Sequence, residues 1–125
     1  MDDMKKEQLE ALQIAIDYTG KLVPAFRTLA VELKGEKHDD TIDFLNQAIE
    51  GLNFIIEIFN ATLSLLNEKE ELFQKDVIEE KIQAMNRAVA NKDDVATAEA
   101  IEDGIIPFLE IFAQISKIFL AGQEA

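Results

Sequence analysis

The sequence predicts an all-α domain: an antiparallel up-down four-helix bundle whose last helix is kinked. Three observations predict it. Apolar residues recur every three or four positions over long stretches, as one face of a helix requires. The 125 residues include only 5 Gly and 2 Pro, which is little turn chemistry for a β fold. Hydrophobic residues make up 48% and charged residues 30%, with Ala, Glu, Lys, Leu and Ile dominant, a composition that suits amphipathic helices. The length fits one domain over residues 1–125.

The first helix is predicted over residues 3–34. Its stripe is Leu9, Leu12, Ile16, Thr19, Val23, Phe26, Ala30 and Leu33. Pro24 lies inside that pattern, where it removes a backbone donor and crowds the preceding turn. A kink near Gly20 and Lys21, or a short break, is expected there. Gly35 reads as the stop signal.

The second helix is predicted over residues 40–66, capped by Asp39 or Asp40, with Asp43 complementing its dipole. One stripe is Ile42, Leu45, Ile49, Leu52, Ile56, Phe59, Leu63 and Leu66. Phe44, Ala48, Gly51, Ile55, Ile58, Thr62 and Leu65 form a second beside it. A helix this apolar needs more than one covering neighbour. The segment Asn67 to Lys75 breaks the phase and reads as a loop, with Leu72 and Phe73 folding back onto the bundle end.

The third helix, residues 76–91, is the shortest. Asp76 with Glu79 has capping-box spacing, and Ile78, Ile82, Met85 and Val89 form the stripe. The fourth, residues 93–121, starts at Asp93 or Asp94. Its stripe is Val95, Ala98, Ile101, Ile105, Phe108, Phe112, Ile115 and Phe119. Pro107 should bend it and free the carbonyl of Asp103, while Gly104 relieves crowding. The second and fourth segments align at an offset of 53, which pairs Asp40 with Asp93, Gly51 with Gly104 and Phe59 with Phe112. The second and fourth helices are therefore expected to share the centre.

The formal net charge is −13, which repels phosphate backbones and anionic lipids, so no nucleic-acid partner is expected. The absence of cysteine excludes disulfides and thiolate sites and fits a cytoplasmic protein. MDDMKKEQLE lacks a signal-peptide core. Glu57, Asn60, Glu110 and Gln114 interrupt the richest apolar stretches, so no membrane span is expected either.

Catalytic chemistry finds little support. His38 is the single histidine, and a ferritin-like di-iron site needs Glu-x-x-His pairs on two helices. Ser64 and Ser116 lie in helices rather than in sharp elbows. No cofactor and no metal site is expected. The carboxylates Glu99, Glu102 and Asp103 cluster on the fourth helix and form a candidate polar site. Capping, dipole complementarity and a solvated face account for them equally well. Seven phenylalanines fall at core or near-core positions, and Phe44 and Phe54 lie off the main stripe. An apolar partner-binding groove between the second and fourth helices would be lined by Phe44, Phe54, Ile58, Ile111 and Ile118.

The segment DDVATAEAIEDGIIP resembles a recurring pattern in an uncharacterised family of small all-helical proteins from Gram-positive bacteria. Asp93, Val95, Ala98, Ile101, Glu102, Ile105, Ile106 and Pro107 match it, and Glu99 nearly does. Ala96, Thr97 and Gly104 depart from it. The resemblance implies a domain of unknown function with no established activity. In size and helix order the chain is also similar to the flagellin export chaperone, a small four-helix bundle that wraps an extended apolar client. That likeness carries over no individual residue.

These observations favour a non-catalytic protein-interaction module, chaperone-like or adaptor-like, rather than an enzyme. A structural or regulatory homodimer using the same apolar surface is the alternative, and a carboxylate-based metal protein or enzyme is a third. The expected partner is a protein client or a second copy of the chain.

Overall fold

A computed structural model describes residues 3–124, without the side chain of Glu124. Among the described residues the chain is helical, with no strand. Helix α1 spans Asp3–Lys34, α2 Thr41–Leu66 and α3 Lys75–Ala90. The fourth helix is composite: α4 over Asp94–Ala100, a π turn over Ile101–Ile105, and α5 over Ile106–Glu124.

Helix α1 runs unbroken through Pro24. The ring lies on the exposed side of the helix. The start of α2 differs from expectation. Asp40 occupies the cap position but its side chain makes no cap hydrogen bond. Thr41 takes over: its Oγ1 accepts from the His38 backbone N–H at 2.8 Å and donates to Glu32 Oε1 at 2.6 Å. Helix α3 likewise begins one residue early, with Gln74 at its cap, so Asp76 complements the dipole in the first turn and no capping box forms. Asp93 does cap α4, its carboxylate accepting from the Ala96 N–H at 3.1 Å.

The other two of the three connections have distinct anchors. In the 67–74 loop the Asn67 carbonyl oxygen accepts from the backbone of Leu72 and Phe73, and its amide donates to the Phe73 carbonyl at 3.0 Å. This turns Phe73 inward, where it is buried, while Leu72 stays exposed. The 91–93 turn ends α3 in a Schellman motif: Asp93 N–H reaches Ala88 O, and Lys92 N–H reaches Val89 O, both at 3.0 Å. The geometry puts Lys92 at φ 55°, the left-handed region that favours glycine.

The bend expected at Pro107 takes the form of the π turn. Ile106 N–H bonds five residues back, to Ile101 O. Pro107 has no N–H, so the wide register cannot continue past it. Gly104 is buried in this turn against α3. A Cβ there would sit 3.2 Å from Lys81 Cβ, so glycine permits the close approach of the two backbones.

Contrary to the expectation that the second and fourth helices share the centre, α1 is the hub. It packs along α2 on one flank and along α4, the π turn and α5 on the other, while α3 packs on α4 and the π turn. Along α1, Gln8, Tyr18 and Glu32 meet Ala61, Phe54 and Thr41, in opposite chain order. On the other flank Arg27, Lys34 and Lys37 pair with Glu110, Glu102 and Asp94, again in opposite order. Helices α2 and α5 touch mainly through an aromatic cluster in the interior. Phe59 meets Phe73, Phe108 and Phe112 edge-on, with centroids 5.2, 5.1 and 5.4 Å apart.

Candidate functional site

The three candidate carboxylates all lie on the surface. Glu102 forms an ion pair with Lys34 of α1. That hydrogen bond holds the Lys34 ammonium above its ordinary value, and the charges of Glu102, Glu99 and Asp103 add to the shift. The structure therefore gathers these acids around a cation of the chain itself. Among the described residues no group of three or more His, Asp or Glu side chains is arranged to hold a metal.

The five apolar candidates do not share one groove. Phe44 is half-buried, Ile58 is buried, and Phe54, Ile111 and Ile118 are exposed. Phe54 lies on the α1 flank of α2, its ring 5.6 Å from that of Tyr18. Ile118 lines a cleft of about 550 Å³ at the far end of the molecule, with Leu65, Leu72 and Phe119 as apolar walls and Lys5 and Lys69 at its rim. Phe54 packs toward α1, whereas Ile118 lines the cleft between the ends of α2 and α5.

The residues that do converge are Ile42, Ile49, Ile56 and Leu63, which run down α2 at intervals of seven. Ile42 is exposed and the other three are half-buried. Ile56 lines a cleft against α3 and Leu63 one at the start of α3, yet α2 and α3 scarcely approach each other within 8 Å between Cα atoms. The result is an open seam. A cleft of about 370 Å³ in it has Ile56, Ile78 and Ile82 for a floor and Asn53, Asn60, Glu79 and Gln83 for a rim. A second, of about 460 Å³, lies near the seam's end at Leu63 and Phe73. The signal was present in the sequence, since those four residues belong to the main α2 stripe. Periodicity alone does not tell which part of a broad stripe a neighbour covers.

Helix α2 carries no Lys or Arg. Its outer face presents Asp43, Glu50 and Glu57, all exposed and without an ion-pair partner among the described residues. Length and hydropathy alone would let two helices cross a membrane, Thr41–Leu66 and Asp94–Gln123, with mean hydropathies of 1.4 and 1.6 over their richest windows. The polar residues thought to interrupt them are too few to lower those means.

An all-helical domain with no group of acidic or histidine side chains arranged to hold a metal among its described residues is the class that these features define. The sequence profile of a domain of unknown function, DUF8042, matches residues 10–115, and the chain belongs to that family. No curated protein and no solved structure matches it.

Proposed function

We propose that the chain is a non-catalytic protein-interaction module, built on an antiparallel up-down four-helix bundle and working in the cytoplasm. The opposite order of contacts along both flanks of α1 supports the bundle topology. The observation that carries the functional reading is the α2–α3 seam: an apolar row about 32 Å long, from its 1.5 Å rise per residue, that no element of the chain fully covers. Surface hydrophobes scattered singly need no explanation, whereas a row at heptad spacing matches one face of a partner helix.

The polar outer face of α2 supports a water-exposed rather than a lipid-exposed helix, because Asn53, Glu57 and Asn60 all face outward. The site on the protein is the seam, which replaces the groove expected between the second and fourth helices. Testing requires a panel of synthetic peptides of different chemistry (basic amphipathic, acidic amphipathic and extended apolar) titrated by isothermal calorimetry. Binding of at least one class with a dissociation constant below about 100 µM is the expected result. If every class fails to bind, the chain is not a peptide-binding module.

A further inference from the structure

We infer that the α2–α3 seam takes a basic amphipathic helix, three to four turns long, from a protein partner. The inference rests on the interaction-module reading and names the chemistry of the occupant. Three features select it.

The first is shape. Ile42, Ile49, Ile56 and Leu63 recur at intervals of seven along α2, and half-buried Ile82 of α3 lines the cleft opposite Ile56. A helical occupant with apolar residues at heptad spacing follows such a row, whereas an extended segment repeats every second residue and does not. The opposite wall, α3, is 16 residues or about 24 Å long, which accommodates about four turns.

The second is charge. Asp43, Glu50 and Glu57 flank the row on one side, and α2 offers no basic residue to neutralise them. On the α3 wall, Glu79 stands at the rim, held only by a 3.9 Å contact with Lys75. Lysines or arginines flanking the occupant's apolar stripe would meet these acids at the rim, where charge governs orientation and association rate more than affinity. The third is the same charge read against the competing occupant. A second copy of the chain would bring another −13 to an already acidic face. The amide rim of Asn53, Asn60 and Gln83 can serve backbone or side-chain groups of the occupant in either orientation.

The test uses the full chain and a peptide of about 14 residues, four turns, with Leu at heptad a and d positions and Lys at the flanking e and g positions. Two further peptides control it: a scramble of identical composition, and a twin with every Lys replaced by Glu. The expected result is that the Lys peptide binds, becomes helical by circular dichroism, and shifts amide resonances of Ile49, Ile56 and Ile82. The scramble should bind at least about tenfold more weakly. Ile56→Glu should weaken binding at least about tenfold. Ile56 is half-buried, so a second variant guards against misfolding: the fully exposed pair Glu50→Lys with Glu57→Lys should weaken binding several-fold and flatten its salt dependence. Val31→Glu, on an exposed site of α1, should change nothing. Equal binding of the scramble, preference for the Glu twin, or shifts confined to residues outside the seam would overturn the inference. So would a dimer, seen by light scattering, whose interface is broken by Ile56→Glu. If only an extended apolar peptide binds, the basic-helix inference fails and the module reading stands. Failure of all peptides removes both.

Discussion

Replacing Phe59 by Ala should be the most damaging truncation on α2. Phe59 is 1% exposed and its ring is met edge-on by Phe73, Phe108 and Phe112. These partners come from the 67–74 loop and from α5, so this one side chain ties α2 to two further elements. Truncating a buried Phe costs about 3–5 kcal/mol, transfer and cavity terms together. The upper half of that range applies here, because three rigid rings on two separate elements cannot collapse together into one void. A domain of 125 residues has a total stability of about 6–19 kcal/mol at the usual per-residue values, so the variant should remain folded but be visibly weakened. With an unfolding entropy of about 0.26 kcal/mol/K for this length, a loss of 4 kcal/mol lowers Tm by roughly 15 °C. Urea denaturation followed by circular dichroism at 222 nm gives the free energy, provided that the m-value is unchanged. A double-mutant cycle with Phe112→Ala should yield a coupling of about 0.5–1.5 kcal/mol. Phe54→Ala is the control: its ring is 40% exposed and has one aromatic neighbour, so about 1 kcal/mol is expected. A Phe59→Ala loss below about 1.5 kcal/mol, or no larger than that of Phe54→Ala, would refute the placement of Phe59 at the junction of α2 with α5.

Four other variants test the turns and the packing between helices. Lys92→Gly should stabilise the chain by about 0.5–1 kcal/mol, because it removes a left-handed lysine from the Schellman turn, and Tm should rise by about 2–4 °C; a fall would mean that Lys92 is not at positive φ. Gly104→Leu should cost at least about 2 kcal/mol in urea denaturation, since even a Cβ would meet Lys81 at 3.2 Å, and a neutral result would show that the π turn does not press on α3. Ser116→Ala should be neutral or stabilising by up to about 1 kcal/mol, because the Ser116 hydroxyl is fully buried with no hydrogen-bond partner, and a clear loss would reveal an unseen bond. The raised pKa of Lys34 stabilises the fold while Lys34 is charged, so its contribution is present below 10.5 and is lost as pH rises through the higher folded value; Glu102→Gln should flatten the Tm profile in that alkaline window and leave it unchanged if the pair is idle.

Much of the fold was legible because long apolar periodicity leaves few alternatives to helix. Strong local signals, such as Asp93 as a cap and Asn67 at the end of α2, lie where the sequence placed boundaries. The errors share one cause. Asp40 and Asp76 look like caps in sequence, but Thr41 and the backbone at Gln74 settle those helix starts through tertiary and backbone bonds that no local window contains. The surroundings of the candidate groove residues were illegible for a similar reason: that Phe54 meets Tyr18 of α1 and Ile118 lines an end cleft depends on contacts between distant helices. The seam residues were in plain view but looked like core, since their exposure depends on how far α3 stands off.

That distance can itself be traced to residue size. Where two helices close tightly, one presents a glycine. Gly51 faces α1, with a Cβ there falling 2.6 Å from the Tyr18 hydroxyl, and Gly104 faces α3 at Lys81. These are the two glycines that align at the 53-residue offset, and each closes a hairpin: α1 with α2, and α3 with the fourth helix. The aligned pair Phe59 and Phe112 meet between the hairpins, ring against ring. Two lateral boundaries remain. On one, the 32-residue α1 packs along the fourth helix and adds two ion pairs, with a third from Lys37 in the loop that follows it. On the other, α3 has only 16 residues to set against the 26 of α2, and the facing positions are Ile42, Ile49, Ile56 and Leu63 with no small residue among them. A short helix held off by bulky side chains cannot seal that boundary. The apolar excess of α2 is therefore a consequence of unequal hairpins, and it lies on the one flank where a helix from another molecule could complete the packing.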